Sequence, residues 1–288
     1  MRHHSYLLIT FLIAAIVGGV ALPIDTADGL TGPVEFVSAN DETRYAEAPP
    51  APDLSAPSVA SSAAKLKLPI LVYHIVRPSF PSDSQAVKNI AQTPEVFDAQ
   101  MQYLSDAGYH VVSFGDLENH YRSEAALPDK PIIISFDDGW SNQFHYAFPL
   151  LKKHRYTAAF FVFTNPIGSN KNFITWDELR EMRDAGMTIG SHSRSHPYLT
   201  TLSDPTKLWN EIAGSKERLE KELGVPVTEF AYPFGQYNPS IVAMVEKSGY
   251  KSARGDRYYR GEQTASRLFD LDAMNAPTDL PAFKQKFP

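Results

Sequence analysis

Short apolar runs alternate with amphipathic segments from about Leu66 onward, and this alternation constrains the fold more than any other feature of the sequence. The clearest run is 131–136, Pro-Ile-Ile-Ile-Ser-Phe, which ends at Asp137-Asp138-Gly139. A β-branched run that is apolar on both faces is typical of a strand buried in a parallel sheet. Strands that alternate with helices predict a parallel sheet covered by helices, either doubly wound or closed as a barrel. We therefore predict an α/β fold for a single domain over residues 66–288.

The other predicted elements follow from local patterns. Thr175 and Glu178 form a capping box that begins a helix ending at Gly186. Asn238 is the predicted N-cap of a helix that begins at Pro239. The remaining predicted helices are 94–107, 114–121, 141–154, 206–223 and 280–287, and the remaining predicted strands are 69–73, 111–112, 158–163, 187–190, 228–232, 250–253 and 268–271.

The N-terminal part of the chain has a different composition. Arg2 precedes an apolar run of 16 residues from Leu7 to Leu22, which fits a secretory signal. The run is short for a membrane span of roughly 20 residues, so residues 1–22 are either a signal peptide or an N-terminal membrane anchor. Residues 23–65, rich in Ala, Pro and Ser from 46 to 64, predict a disordered linker. We expect an exported protein, periplasmic or at the cell surface, secreted or associated with the membrane through this segment.

Composition narrows the kinds of site that this chain can build. The formal net charge of -6 gives no electrostatic reason to expect nucleic acid as a partner. The sequence contains no cysteine, so a metal ion would have to be bound by His, Asp or Glu.

Polar residues follow several predicted strands directly. Because the carboxyl ends of the strands of a parallel barrel share one face, segments far apart in sequence would meet there. These residues are His74, Asp137, Asp138, His192, His196 and Arg254.

A metal site is one interpretation of these residues. On an extended backbone Asp137 and Asp138 point to opposite sides unless the chain is already turning, so one can face a metal while the other faces a substrate or water. His192 and His196 would lie on one side of a helical turn. Two His and one carboxylate form a common open site for zinc and similar ions. The alternatives are a plain Asp-Asp-Gly turn and a solvated or capping His pair.

Taken together, Phe136-Asp137-Asp138-Gly139 and His192-Ser193-Arg194-Ser195-His196 resemble the first two signature motifs of the polysaccharide deacetylases, carbohydrate esterase family 4. The resemblance implies a distorted (β/α) barrel with parallel strands and metal-dependent removal of acetyl groups from N-acetylglucosamine units of a polysaccharide. It also implies a role for each motif residue. Asp137 would be the general base, and Asp138, His192 and His196 would bind a divalent metal ion, with zinc foremost and cobalt or nickel as alternatives.

The stretch from Phe230 to Gly235 resembles the third motif of the family. The backbone amide of Phe234 would then stabilise the oxyanion, and the rings of Tyr232, Phe234 and Trp140 are candidates for stacking on sugars. The motif usually carries an Arg that braces the base, where this chain has Ala231. Arg254 could replace that Arg from the next strand, although a surface role is the alternative.

The C-terminal Leu-x-His motif of the family is absent, since the segment from Arg267 to Pro277 contains no His. The segment from Leu71 to His74 is similar to the opening of the branch that deacetylates poly-β-1,6-N-acetylglucosamine, in which a His on the first strand supplies the acid. His74 would then protonate the leaving amine; a His that only packs at the strand end is the alternative.

Three other functions stay open from the sequence. A peptidoglycan or chitin-type deacetylase would share the same motifs. A glycoside hydrolase would use two carboxyl groups about 5–9.5 Å apart without a metal. A carbohydrate-binding protein without activity would fit the departures from the family pattern.

Overall fold

The structure, a computed structural model, describes residues 65–123, 125–256 and 261–288. The signal or anchor expected over 1–22 and the linker expected over 23–65 lie outside these residues, apart from Lys65. Among the helices of the described residues, none combines the length and the apolar character that a membrane span requires.

In chain order the strands are β1 (Ile70–Tyr73), β2 (Ile75–Val76), β3 (Ala91–Gln92), β4 (His110–Val111), β5 (Pro131–Asp138), β6 (Ala159–Val162), β7 (Thr188–Ser191), β8 (Glu229–Ala231), β9 (Ser252–Arg254) and β10 (Met274–Asn275). Eight of these strands form one parallel sheet, in the order β10-β1-β5-β6-β7-β8-β9, with β4 also paired to β5. A separate parallel pair joins β2 to β3.

One segment links the two edges of this sheet. The Leu271 amide donates to the carbonyl of Ala253 in β9 at 3.0 Å, and Met274 of β10 pairs with Leu71 of β1. The parallel sheet therefore curls into a distorted barrel with helices around it, and the predicted fold class is confirmed. The predicted strand 268–271 is wrong in its position, because Arg267 bonds to Asp270 and holds this stretch in a turn ahead of β10.

The helices match most of the sequence predictions. Thr175 and Glu178 form the predicted capping box, and Asn238 caps the helix that begins at Pro239. The predicted helix 141–154 is confirmed, with a π-helical stretch over Gln143–Ala147 inside it. The α-helices are α1 (Gln85–Lys88), α2 (Pro94–Asp106), α3 (Phe114–Ser123), α4 (Phe148–His154), α5 (Trp176–Asp184), α6 (Pro205–Leu223), α7 (Pro239–Lys247) and α8 (Leu280–Lys286).

Strand β5 is buried along its whole length, and its two faces contact different parts of the core. One face packs in the larger of two hydrophobic clusters together with helix residues, through Ile132, Ile134 and Phe136. The Phe136 ring stacks there on Phe160, with 4.6 Å between the ring centroids. Ile133 belongs to a smaller cluster inside the barrel. Asp137 has the same strand parity as Ile133, so the sequence itself directs this carboxylate toward the interior of the barrel.

Two buried carboxyl groups lie at the opposite, amino-terminal end of the strands. Glu229 begins β8 and is 7% exposed, and Glu118 of α3 is 4% exposed. Burial raises the pKa of both groups, and the charge of Glu118 raises the pKa of Glu229 further. A carboxyl whose pKa is higher in the folded than in the unfolded state opposes folding once the pH rises above its unfolded pKa.

We therefore expect Glu229→Gln to increase the free energy of unfolding at neutral pH. The increase should vanish at about pH 3, where the carboxyl is protonated in both states. Urea denaturation at the two pH values measures this, with the exposed Glu217→Gln in α6 as the matched control. A Glu229→Gln protein that is no more stable than the wild type at neutral pH would contradict the expectation.

Candidate active site

Asp137 and Asp138 converge on one imidazole despite being neighbours on a strand. Asp138 has a φ of 75°, in the left-handed region, and Gly139 follows with 76°, so the chain leaves the pleat here. Asp137 Oδ2 lies 3.9 Å and Asp138 Oδ1 3.8 Å from His192 Nε2. Only glycine fits at position 139, because a β-carbon there would lie 2.8 Å from Val162 Cγ1.

His192 and His196 lie on a loop, so the predicted helical turn is wrong. The loop bends through left-handed φ values of 70° at Ser193 and 58° at His196. It nevertheless brings the two imidazoles together, with 3.1 Å between their Nε2 atoms. Asp138 Oδ1 lies 3.4 Å from His196 Nε2, and one ligand atom from each of the three residues lies within 4.8 Å of the others.

The protonation and hydrogen bonding of this triad suit a metal ion. His192 Nδ1 donates to the Ala231 carbonyl at 2.7 Å, which orients Nε2 toward His196 and Asp138. Burial, followed by the charge of His192, lowers the pKa of His196 to about 4, so its imidazole is neutral at neutral pH. Trp140 Nε1 donates to Asp138 Oδ2 at 3.0 Å, and Oδ1 remains for a ligand. Two imidazole nitrogens and one carboxylate oxygen therefore fit a divalent cation.

Asp137 is buried against Arg254, which is 1% exposed and donates from Nη2 to Asp137 Oδ1. Burial raises the pKa of Asp137, but the charges of Arg254, His192 and His74 outweigh it and lower the pKa to about 2. The carboxylate is therefore charged at neutral pH, with Oδ1 bound by Arg254 and Oδ2 3.9 Å from His192 Nε2. Ala231 of β8 and Arg254 of β9 are paired in register. An Arg at position 231 and the Arg at position 254 would therefore both place a guanidinium beside Asp137.

His74 follows β1 at the same end of the barrel. Gln143 Nε2 in the π-helical turn donates to the His74 carbonyl at 2.8 Å and also to the Asp137 carbonyl. The charge of His74 contributes to the pKa values of both Asp137 and His196. The structure thus places His74 at the same end of the barrel as the triad, with its carbonyl joined to that of Asp137 through Gln143.

The aromatic candidates divide into two groups. Tyr232 is 1% exposed and its hydroxyl donates to the Phe269 carbonyl, so its ring has no face for a sugar and that expectation is corrected. Phe234 is partly exposed, with a left-handed φ of 57°, and its ring centroid is 4.4 Å from that of His196. Trp140 stacks on Phe173 at 4.5 Å while it bonds to Asp138.

Sequence reasoning missed Asp256 and Tyr198. Burial, followed by the charge of Asp137, raises the pKa of Asp256, and a β-carbon on Gly235 would overlap its carboxylate. The Tyr198 ring stacks on Phe234 with centroids 3.8 Å apart. Asp256 comes two residues after β9, so the rule that polar residues at strand ends share one face would have placed it among the candidate site residues. Nothing in the sequence marks Tyr198.

Comparison with known proteins gives the same family as the motifs. Residues 124–253 match the family model of the polysaccharide deacetylases. One relative is YxkH of Bacillus subtilis (strain 168), whose name describes it as a polysaccharide deacetylase, and it is 31% identical over 185 residues. The match covers 64% of this chain and 63% of YxkH, which is less than two thirds of that protein. Poly-β-1,6-N-acetyl-D-glucosamine N-deacetylase of Staphylococcus aureus (strain MRSA252) is 26% identical, covering 63% of this chain and 69% of its own.

A solved structure extends the likeness to the three-dimensional fold. The Streptococcus pyogenes deacetylase PplD, in complex with acetate, superposes with a TM-score of 0.70 at 26% identity. The superposition covers 78% of this chain and 99% of that structure. The chain is therefore similar to the polysaccharide deacetylases in sequence over residues 124–253 and in fold over 78% of its length.

Proposed function

We propose that this protein is a metal-dependent hydrolase that removes N-acetyl groups from N-acetylglucosamine units of an exported polysaccharide. The observation that supports this most is that two neighbouring carboxylates have different partners. Asp138 faces His192 and His196 as a third ligand, whereas Asp137 is held by Arg254 and left to act on water.

A divalent ion bound by the triad, with zinc favoured and cobalt or nickel as alternatives, would polarise the acetyl carbonyl and a water molecule. Asp137 accepts the proton of that water as it attacks the carbonyl carbon. Arg254 keeps the Asp137 carboxylate ionised and fixes its orientation, which is the bracing role that Ala231 cannot fill.

The leaving amine needs a proton when its bond to the acetyl carbon breaks. His74 supplies it in this proposal, because it lies at the end of β1 beside Asp137 and no His occurs in the C-terminal segment of the sequence. The backbone amide of Phe234 stabilises the oxyanion that develops on the carbonyl oxygen. The left-handed conformation of Phe234 costs of order 1–3 kcal/mol for a residue other than glycine, which supports a functional reason for that geometry.

Poly-β-1,6-N-acetylglucosamine is the polymer that we favour. The name of the Staphylococcus aureus relative supports it, as does the position of His74 directly after the first strand. The apolar run from Leu7 to Leu22 supports export to where such a polymer is found.

The decisive measurement is acetate release by the zinc-loaded full-length protein from poly-β-1,6-N-acetylglucosamine, chitin oligomers and peptidoglycan. We expect release to be fastest from the β-1,6 polymer and to stop on chelation, then return with zinc, cobalt or nickel. Release mainly from chitin or peptidoglycan would reassign the polymer. New reducing ends without acetate would indicate a glycoside hydrolase, and binding without turnover at any metal loading would indicate a carbohydrate-binding protein.

A further inference from the structure

The loop that carries His192 and His196 is attached to helix α6 through one carboxylate, that of Glu211. Glu211 Oε2 accepts from the backbone amide of Arg194 at 3.0 Å and from that of Ser195 at 2.9 Å. Its other oxygen, Oε1, accepts from the Ser195 hydroxyl at 2.6 Å. Both oxygens of one side chain are therefore used on the residues between the two His.

Two carbonyls of the loop accept from backbone amides just after β6, whereas the amides of residues 193–196 are bonded by side chains. Ser193 and His196 are in left-handed conformations, which for residues other than glycine persist only where the surroundings enforce them. The His196 amide donates to the Ser193 hydroxyl at 3.0 Å. The amides of Arg194 and Ser195, between these two points, are the ones that Glu211 accepts.

The helix that carries Glu211 is a rigid support. α6 runs for 19 residues and buries Leu208 and Ile212 on either side of Glu211. The Arg194 side chain lies along the same helix, since a β-carbon on Gly214 would be 3.3 Å from Arg194 Cδ. Glu211 therefore fixes the amides of the loop to helix α6.

We propose that Glu211 is a positioning residue that sets the separation of the His192 and His196 imidazoles and thereby the affinity of the triad for its metal ion. This rests on the proposed function, which makes the triad a metal site. Residues that orient the ligands of a metal site change metal affinity by about 10–100-fold when they are removed. Loss of Glu211 leaves two loop amides and a hydroxyl without their acceptor and frees the loop to widen the distance between the imidazoles.

The test is zinc affinity measured by competition with a chromophoric chelator, on the full-length protein. We expect Glu211→Ala to weaken zinc binding by about 10–100-fold. Glu211→Gln should lose less, because its amide oxygen can still accept from the two backbone amides and its amino group can donate to the Ser195 hydroxyl. Glu217→Ala, exposed on the same helix, is the matched control and should bind zinc like the wild type.

A second readout separates positioning from general loss of structure. In the cobalt-loaded protein the visible absorption bands should shift for Glu211→Ala and stay unchanged for Glu217→Ala. Ser195→Ala removes only one hydrogen bond to Glu211, so it should weaken zinc binding less than Glu211→Ala. Wild-type zinc affinity and an unchanged cobalt spectrum in Glu211→Ala would overturn the inference while leaving the proposed function standing. A wild-type protein that binds no divalent metal would overturn the proposed function itself.

Discussion

Replacing Asp137 with Asn is expected to lower the rate of acetate release by about 10²–10⁴-fold, the usual contribution of a general base. Asn keeps the size of the side chain and an oxygen that can accept from Arg254 Nη2, as Asp137 Oδ1 does. It has no site that can take a proton from water. The loss should therefore fall on the chemical step and leave the fold and the metal site in place.

Zinc affinity and acetate release, measured on the same preparations, check this division of roles. Asp137→Asn should bind zinc nearly as tightly as the wild type, whereas Asp138→Asn should lose zinc affinity together with activity. Acetate release at the wild-type rate by Asp137→Asn would remove Asp137 as the base. Loss of zinc from Asp137→Asn would make Asp137 a fourth ligand, since its Oδ2 lies 3.9 Å from His192 Nε2.

The parts of the fold that the sequence predicts are those determined by local chemistry. The apolar run of β5 and the capping box of α5 depend on residues within a few positions of one another. The two-residue strands β2 and β3 are too short for any periodicity. The strand at Met274–Asn275 is specified by pairing with β1, some 200 positions earlier in the chain. The bond from Arg267 to Asp270 holds residues 268–271 in a turn, so they do not form a strand.

The candidate site shows the same division. The rule that strand ends share a face predicts that Asp137, Asp138 and His192 meet. It does not predict the conformation of the loop after His192, because that loop is held by hydrogen bonds from distant parts of the chain, among them those to Glu211 on α6. It likewise cannot decide between a buried and a surface position for Arg254, which depends on the curl of the sheet that brings β9 to face β5.

Replacing Arg254 with Met is expected to destabilise the metal-free protein by about 3–5 kcal/mol, because it removes one partner of a buried ion pair and leaves the other uncompensated. Met retains an apolar side chain of similar length for contact with Phe161, whose ring centroid lies 4.6 Å from Arg254 Cζ. The effect is therefore electrostatic rather than a loss of packing. Urea denaturation in the presence of a chelator measures it.

The pH dependence of this loss identifies its cause. In the wild type the pKa of Asp137 is about 2, below an unfolded value of about 3.9, so the ionised carboxylate stabilises the fold above that pH and this contribution fades as the pH falls toward 2. Without Arg254, burial raises the pKa of Asp137, and the ionised group opposes folding at neutral pH. The deficit of Arg254→Met should accordingly be largest at neutral pH and narrow toward about pH 4.

The double variant Asp137→Asn with Arg254→Met provides the control, since it removes both charges. It should be more stable at neutral pH than Arg254→Met alone, with little change in its deficit between neutral pH and about pH 4. Equal deficits for Arg254→Met at both pH values, with no recovery in the double variant, would show that Arg254 acts through packing against Phe161. In that case the charge that keeps Asp137 ionised in the metal-free protein would have to come from His74 or His192.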